Sequence, residues 1–143
     1  MKVSTRGRYA IRVMIDLAKN DTGECIPLSD IAKRQGISEK YLEAIVALLV
    51  KAGQLSATRG KKGGYRLKKA PEDYSLKDIL ETTEGAFAPV SCLETTPNTC
   101  ERAATCPTLS MWTGFQKVVN DYFENISLAE LLDDSACPND YSI

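Results

Sequence analysis

Apolar side chains recur at helical spacing along the first third of the chain. They predict an amphipathic helix over residues 4–19, a short helix over 28–35, and a third helix that Ser38 caps and Gly53 ends. The polar positions expected on the outer face of the first helix are Arg8, Arg12, Asp16 and Lys19. Only Gln35-Gly36-Ile37 joins the second helix to the third, with the glycine where a tight turn requires a positive φ. This spacing predicts a helix-turn-helix.

The pattern then changes from helical to extended. Two short strands are predicted over residues 54–58 and 64–67, separated by Arg59-Gly60-Lys61-Lys62-Gly63. Glycines let such a tip approach a surface closely, and its cations suit a phosphate backbone or a narrow minor groove. An ordinary exposed hairpin is the alternative, but a basic tip directly after a helix-turn-helix favours a wing that contacts DNA.

Helical spacing returns on both sides of a long irregular stretch in the second half. A fourth helix is predicted from Ser75 to about Glu84, and a long helix from about Pro107 to Asn125. Residues 86–106 hold two prolines and three cysteines and predict a loop. A loop of this length in a compact domain is usually either functional or disordered.

The long helix carries two apolar stripes. They are Met111, Phe115, Val118 and Tyr122 on one side, and Trp112, Val119, Phe123 and Ile126 on the other. We expect one stripe to pack on the chain's own core and the other on a second copy of the helix, across a twofold axis. The alternative is a helix buried on both sides within one chain. Ser127 and Glu130 form a capping box that predicts a last short helix, and the tail from Ser135 to Ile143 is expected to be irregular.

Composition excludes several classes of protein. Of the 143 residues, 43% are hydrophobic and 26% charged, which is enough apolar material to fill a core. No apolar run approaches the roughly 18 residues that span a bilayer, and the opening MKVSTRGRYA lacks the apolar region of a secretory signal, so we expect neither a membrane-spanning segment nor a secretory signal. Because the chain has no histidine, histidine-based catalytic triads and imidazole-dependent zinc sites are excluded.

The net charge of −1 conceals an uneven distribution. Residues 1–70 carry a balance of +9, whereas residues 71–143 carry −10. Such asymmetry indicates that the first half contacts nucleic acid or a membrane surface, and a solvated basic face is the alternative.

The five cysteines are also unevenly placed. They are Cys25, Cys92, Cys100, Cys106 and Cys137. An odd number without an export signal argues against a disulfide framework and for a reduced, cytoplasmic setting. Three of them fall within the 15 residues from Cys92 to Cys106, with no Cys-x-x-Cys pair anywhere. Thiolates are soft ligands that favour zinc, copper(I) and iron–sulfur clusters.

Four segments together resemble a known family. They are the opening MKVSTRGRYAIRVM, then LSDIAKRQGISEKYLEAIV, the hairpin RGKKGGYRL, and CERAATCPTLSMW before the long helix. In this order they resemble the Rrf2 superfamily of bacterial winged-helix transcriptional regulators, and within it most closely the iron–sulfur cluster regulators of the IscR type. The resemblance covers about residues 1–133. It implies a homodimer that binds double-stranded operator DNA and is not an enzyme.

The resemblance implies which residues meet the DNA. The third helix would enter a major groove and the wing would follow the flanking minor groove. The DNA-binding residues are expected to be Ser38, Glu39, Lys40, Tyr41, Glu43, Arg59, Lys61 and Lys62. Among them, a carboxylate at Glu43 could accept a hydrogen bond from cytosine or reject other sites by repelling phosphate. The alternative is that Glu43 is an ordinary solvated helix residue.

The resemblance also assigns the three clustered cysteines. Cys92, Cys100 and Cys106 would bind an iron–sulfur cluster, expected to be 2Fe–2S, which the family completes with a histidine or with a residue of the partner subunit's first helix. Here Leu109 stands in place of that histidine, and Arg8 and Arg12 occupy the first-helix positions. The fourth ligand is therefore open. Its candidates are Glu94, Glu101, Thr108, Ser110, Cys137, Cys25, water or a small thiol.

These observations predict a mainly α fold with a small β-hairpin wing. We divide it into a winged helix-turn-helix domain (1–84), a cysteine-bearing segment (85–106), and a dimerisation helix with its tail (107–143). The predicted function is regulation of iron–sulfur cluster biogenesis genes by cluster status. The alternatives are a regulator that responds to thiol oxidation, nitric oxide or cysteine metabolism, loop cysteines without a role, a small redox enzyme, or an interaction module whose basic half binds an acidic partner.

Overall fold

The structure is a computed structural model that describes residues 2–133. Its helices are α1 (Thr5–Lys19), α2 (Leu28–Gln35), α3 (Glu39–Lys51), α4 (Leu76–Glu84) and α5 (Leu109–Glu124), and a hairpin pairs β1 (Leu55–Thr58) with β2 (Gly64–Leu67). Short 3-10 turns lie at Pro71–Asp73, Ser91–Leu93, Ala103–Thr105 and Ala129–Leu132. The predicted mainly helical fold with a hairpin wing is thereby confirmed. The predicted irregular tail and Cys137 lie outside the described residues.

Serine side chains begin three of the helices. Ser4, Ser38 and Ser75 each accept a hydrogen bond from a backbone N–H in the first turn of α1, α3 and α4, respectively. Such caps satisfy N–H groups that have no partner within the helix. Gly36 ends α2 in the left-handed conformation (φ 64°), which allows α3 to begin after a short turn. The helix-turn-helix is thus built from strong local signals.

The antiparallel hairpin, which we call the wing (residues 55–67), is attached to the segment between α1 and α2. Ile26 and Tyr65 exchange two backbone hydrogen bonds of 2.9 Å. Gly64 makes this approach possible, because a Cβ there would lie 2.2 Å from the Ile26 carbonyl oxygen. The base of the wing is therefore fixed to the helical body by main-chain contacts.

The core lies between α1, α3 and α4 and includes a residue from near the end of the described chain. Leu128 is 0% exposed and belongs to the same cluster as Met14, Ile45 and Ile79. Its N–H donates to the Tyr74 carbonyl (2.9 Å). The segment that follows α5 thus returns to complete the core of the N-terminal helices.

The first and fourth helices approach each other closely near the N-terminus. The Glu84 carboxylate, at the end of α4, accepts hydrogen bonds from the backbone N–H (3.1 Å) and the hydroxyl of Ser4. Gly7 leaves room for that carboxylate, since a Cβ at Gly7 would lie 2.7 Å from Glu84 Oε1 and 3.1 Å from Val3 Cγ1. Glu84 is the last residue before the cysteine segment, so this contact links that segment to α1.

One expected surface residue lies inside the protein. Asp16 was expected on the polar face of α1, but it is only 3% exposed. Its two oxygens share the single Nε–H of Arg34 (3.0 and 3.2 Å), and they accept further hydrogen bonds from Arg34 Nη2 (2.7 Å) and Gln35 Nε2 (2.8 Å). Burial of the carboxylate is tolerated because α2 supplies these donors. The Asp16 carboxylate also raises the pKa of Arg34 through the hydrogen bond between them.

The boundaries of some elements differ from the prediction. α5 begins at Leu109, two residues later than expected, and β1 begins at Leu55 rather than at residue 54. The last short helix is a 3-10 turn, although the predicted capping box is formed, with Ser127 Oγ accepting from Glu130 N (3.3 Å). Within residues 2–133, no helix combines the length and the apolar character needed to cross a bilayer.

Candidate nucleic-acid interface and cysteine segment

The start of α3 presents polar side chains to solvent while its opposite face is buried. Ser38, Glu39, Lys40 and Glu43 are exposed, and Tyr41 is 39% exposed. The buried face consists of Leu42, Ile45, Val46 and Leu49. The N-terminal turns of α3 are therefore free to enter a groove, which is the position of a recognition helix in a helix-turn-helix.

The tip of the wing carries the other predicted contacts. Arg59, Lys61 and Lys62 are exposed and stand on a turn in which Gly63 N donates to the Gly60 carbonyl (2.9 Å). All eight predicted DNA-binding residues lie at the surface. Five are on α3 and its cap, and three are on the wing.

Aromatic and polar contacts that the sequence patterns did not predict lie behind Tyr41. The ring of Tyr9, on α1, meets the Tyr41 ring edge-on, with centroids 5.7 Å apart and planes at 87°. The guanidinium of Arg12 lies 5.3 Å above the Tyr9 ring and donates to the side chain and the backbone carbonyl of Gln35. The only sequence signal for this arrangement is the placement of Tyr9 on the apolar stripe of α1.

The cysteine segment (residues 85–106) runs from α4 towards α5 and is attached to α5 at two points. Phe87 is buried and stacks on Phe123, with centroids 5.3 Å apart. Gln116 Nε2 donates to the Leu93 carbonyl (3.2 Å). The segment that carries the three clustered cysteines is therefore packed against the helix that was predicted to form the dimer.

The three predicted cluster ligands are accessible thiols that do not converge. Cys92 and Cys106 are half-buried and Cys100 is exposed. In the described part of the chain, no three side chains of Cys, Asp or Glu come together as a potential metal site. Donor chemistry therefore suits a cluster, but in this arrangement the segment does not hold its thiols ready to bind one.

Cys106 lies immediately before α5 and has the most distinctive surroundings of the three. Its Sγ is 3.5 Å from Thr108 Oγ1. The hydrogen bond from that hydroxyl, together with the backbone N–H groups of Thr108 and Leu109, lowers the pKa of the Cys106 thiol. Donors at a helix N-terminus favour a thiolate, which is the form that binds metals and reacts with oxidants.

Thr108, one of the fourth-ligand candidates, lies within hydrogen-bond distance of the thiol of Cys106. Glu94, Glu101 and Ser110 are exposed on the same stretch of chain. Cys25 is placed elsewhere, because its thiol contacts Thr58 Oγ1 (3.5 Å) at the end of β1.

The exposed apolar stripe of α5 consists of Met111, Phe115, Val118 and Tyr122. Val118 and Tyr122 are 67% and 63% exposed, whereas the second predicted stripe is partly buried against the chain. A continuous row of large exposed apolar side chains on a helix indicates an interaction surface.

Known proteins resemble this chain over almost its whole length. The sequence profile of Rrf2, described as an iron-dependent transcriptional regulator, matches residues 3–134. Protein rrf2 of Nitratidesulfovibrio vulgaris is 40% identical over 139 residues, covering 96% of this chain and 92% of that protein.

Two solved structures are similar to the chain in both fold and sequence. CymR, the global cysteine regulator of B. subtilis, superposes with a TM-score of 0.74 at 33% identity, covering 92% of this chain and 96% of that one. IscR of T. potens superposes with a TM-score of 0.73 at 35% identity, covering 94% and 88%. The similarity extends over almost the whole region in which the motifs were found.

Proposed function

This chain belongs to the Rrf2 family of transcriptional regulators, and on that premise we propose that it binds operator DNA as a homodimer and reports iron–sulfur cluster status. The observation that carries the proposal is that the N-terminal face of α3 and the basic tip of the wing are both exposed. The regulated genes are proposed to be those of iron–sulfur cluster biogenesis. The cofactor is proposed to be a 2Fe–2S cluster at Cys92, Cys100 and Cys106.

Binding of the major groove follows from the shape and chemistry of α3. An α-helix fits the roughly 12 Å width of the groove, and hydrogen-bonding side chains at its start reach base edges. Lys40 offers a donor, Tyr41 a hydroxyl and an aromatic face, and Glu43 an acceptor suited to cytosine N4. Glu39 and Glu43 also repel phosphates, which penalises misaligned docking.

The wing supplies the phosphate and minor-groove contacts. Arg59 is proposed to enter the minor groove, where a narrow groove attracts guanidinium groups. Lys61 and Lys62 are proposed to neutralise phosphates, which gives affinity without sequence preference.

Salt dependence tests the wing. Binding of a DNA fragment selected by the wild-type protein is measured at several salt concentrations for K61A, K62A and the control K51A, which lies at the far end of α3. Each wing variant is expected to lower the slope of log affinity against log salt by about one, because one phosphate contact is lost. Lys51→Ala should leave the slope unchanged. Unchanged binding by a triple wing variant that also carries Arg59→Ala would remove the wing from the interface.

Dimerisation is proposed to occur through the exposed apolar stripe of α5. A second copy of the same helix presents an identical stripe, so a twofold axis would bury both. The dimer matters for recognition because two α3 helices must meet grooves about 34–36 Å apart.

The cysteine segment is proposed to close around the cluster when it binds. A bound 2Fe–2S cluster would supply a redox-active centre whose stability depends on its ligands and its exposure. Cys106 is favoured as a first point of attachment because its surroundings stabilise the thiolate. The other two thiols must move towards it, since the described arrangement does not gather them.

Such closure would reach the DNA-binding surface by two routes. The segment begins next to Glu84, which holds Ser4 before α1, and it packs on α5 through Phe87. Cluster binding would therefore favour one arrangement of the two recognition helices, and operator DNA would in turn favour the cluster-bound protein.

An absorption spectrum of anaerobically purified protein, with iron and sulfide analysis, tests the cofactor. We expect a visible chromophore that is lost in Cys92→Ala, Cys100→Ala and Cys106→Ala. Cys25→Ala is the matched control and should keep the colour, because Cys25 lies at the wing. Colourless wild-type protein without iron would refute the cluster.

The second candidate function is a metal-free regulator that responds to thiol chemistry or cysteine metabolism. It is favoured by the similarity to CymR and by thiols that are accessible but separated. In that case iron-free protein should change its operator affinity on mild thiol oxidation, and a cysteine variant should abolish the response.

A further inference from the structure

Tyr41 is the aromatic residue on the exposed face of α3, and among residues 2–133 its ring contacts one other aromatic ring. The Tyr9 ring meets it edge-on at 5.7 Å, which is a favourable geometry for two aromatic rings. Tyr9 is half-buried on α1, whereas Tyr41 is exposed. The contact therefore joins the recognition helix to the first helix at the protein surface.

Tyr9 is itself held in place by a second contact. The Arg12 guanidinium covers its ring at 5.3 Å, as in a cation–π contact. Arg12 in turn donates from Nε to Gln35 Oε1 (3.0 Å) and from Nη2 to the Gln35 backbone carbonyl. Two bonds to one residue fix the guanidinium against the end of α2.

The far end of this chain of contacts is buried. Gln35 Nε2 donates to Asp16 Oδ2 (2.8 Å), and Asp16 is also held by Arg34. The contacts thus run from a buried carboxylate through Gln35, Arg12 and Tyr9 to Tyr41, and they involve α1, α2 and α3.

We propose that Tyr9 is a positioning residue for DNA recognition, which holds Tyr41 in its DNA-binding orientation without touching DNA itself. The inference rests on the proposed role of Tyr41 in the interface. A tyrosine on an exposed helix face otherwise samples several rotamers, and immobilising it on binding lowers affinity. Contact with a fixed Tyr9 ring removes that loss before the DNA arrives.

The expected effect is on sequence preference rather than on charge. Tyr9→Leu removes the aromatic edge but keeps an apolar side chain, and it removes no cation. Operator affinity should fall on the order of three- to tenfold, the factor expected when one side chain must be ordered on binding. The salt dependence should stay unchanged, because no phosphate contact is lost.

A double-mutant cycle in the full chain tests this. The probe is a duplex recovered by the wild-type protein from a random-sequence pool, with a scrambled duplex of equal length as the reference. The variants are Tyr9→Leu, Tyr9→Phe, Tyr41→Leu and the double Leu variant, and thermal unfolding establishes that each is folded at the assay temperature. Tyr9→Met serves in place of Tyr9→Leu if that variant unfolds.

Positioning predicts that Tyr9→Phe binds like wild type and that Tyr9→Leu weakens operator binding more than scrambled binding. It also predicts that Tyr9→Leu has less than about a twofold further effect when Tyr41 is already leucine, since coupled residues are not additive. Three results would overturn the inference: additive losses, equal damage from Phe and Leu, or no effect of Tyr9→Leu where Tyr41→Leu weakens binding.

Different binding results would refute the proposed function itself. If the wild-type protein recovers no duplex from the pool, operator binding itself is refuted. If Tyr41→Leu binds normally while the wing variants are impaired, Tyr41 is outside the interface and the role of Tyr9 falls with it.

Discussion

Replacement of Gly7 by alanine tests the contact between α1 and the end of α4. The substitution has two opposed effects. Alanine is favoured over glycine within a helix by about 1 kcal/mol, because glycine loses more backbone freedom on folding. The new Cβ, however, would lie 2.7 Å from Glu84 Oε1, so the carboxylate must move away.

The cost of that movement is the pair of hydrogen bonds from Ser4. Hydrogen bonds to a charged group each contribute about 1.5–3 kcal/mol, and Glu84 is half-buried, so the lower figure applies. Loss of one or both bonds, less the helix gain, lowers the free energy of unfolding by about 0.5–2 kcal/mol. The melting temperature should fall by about 2–8 °C for a chain of this size.

In protein that already carries Glu84→Ala, Gly7→Ala is expected to have the opposite effect on stability. In Glu84→Ala protein the carboxylate is absent, and of the three atoms nearest to the new Cβ only Val3 Cγ1, at 3.1 Å, remains. Gly7→Ala should then raise the free energy of unfolding by about 0.5 kcal/mol, because the helix preference exceeds the cost of a small shift of the Val3 side chain. Chemical denaturation at one fixed protein concentration measures all four proteins. If Gly7→Ala has the same effect in both backgrounds, the Ser4–Glu84 contact does not hold α1 in the way described.

Three further predictions concern other parts of the chain. Introducing Val118→Glu and Tyr122→Glu together should give monomers in analytical ultracentrifugation with unchanged helix content, and an intact dimer would place the interface elsewhere. Thr108→Val should raise the pKa of Cys106 towards its ordinary value and shift the pH profile of its alkylation, followed by mass spectrometry, to higher pH; an unshifted profile would contradict the role of the hydroxyl. Leu128→Ala should lower the free energy of unfolding by about 2–5 kcal/mol in a denaturant titration, whereas a loss below about 1 kcal/mol would exclude Leu128 from the core.

Local signals explain why the helix-turn-helix was predictable. Ser38 and Ser75 cap helices where the pattern placed them, and Gly36 has the positive φ that the short turn requires. The wing was predictable for the same reason, because its strands and its glycine-rich tip are contiguous in sequence. The two stripes of α5 also follow from periodicity, and the structure describes one of them as exposed.

Contacts between distant residues were not predictable. Asp16 has the residue type and spacing of a surface position, and its burial depends on Arg34 and Gln35, which are supplied by another helix. The same holds for Tyr9, whose partner Tyr41 lies on α3. The geometry of the cysteine segment follows no periodic rule, so spacing identified the thiols without giving their relative positions.

The return of the chain to the core has a consequence for protein synthesis. Leu128 completes a core whose other buried residues all lie between Ala10 and Ile79. The ribosome adds about 5–20 residues per second, so it needs roughly 4–15 s to pass from Lys51, at the end of α3, to Leu128. Until Leu128 is added, the apolar faces of α1 and α3, and of α4 once it has been synthesised, lack one of their covering side chains. A nascent chain that has not yet reached Leu128 therefore lacks part of the core that packs beneath α1 and α3.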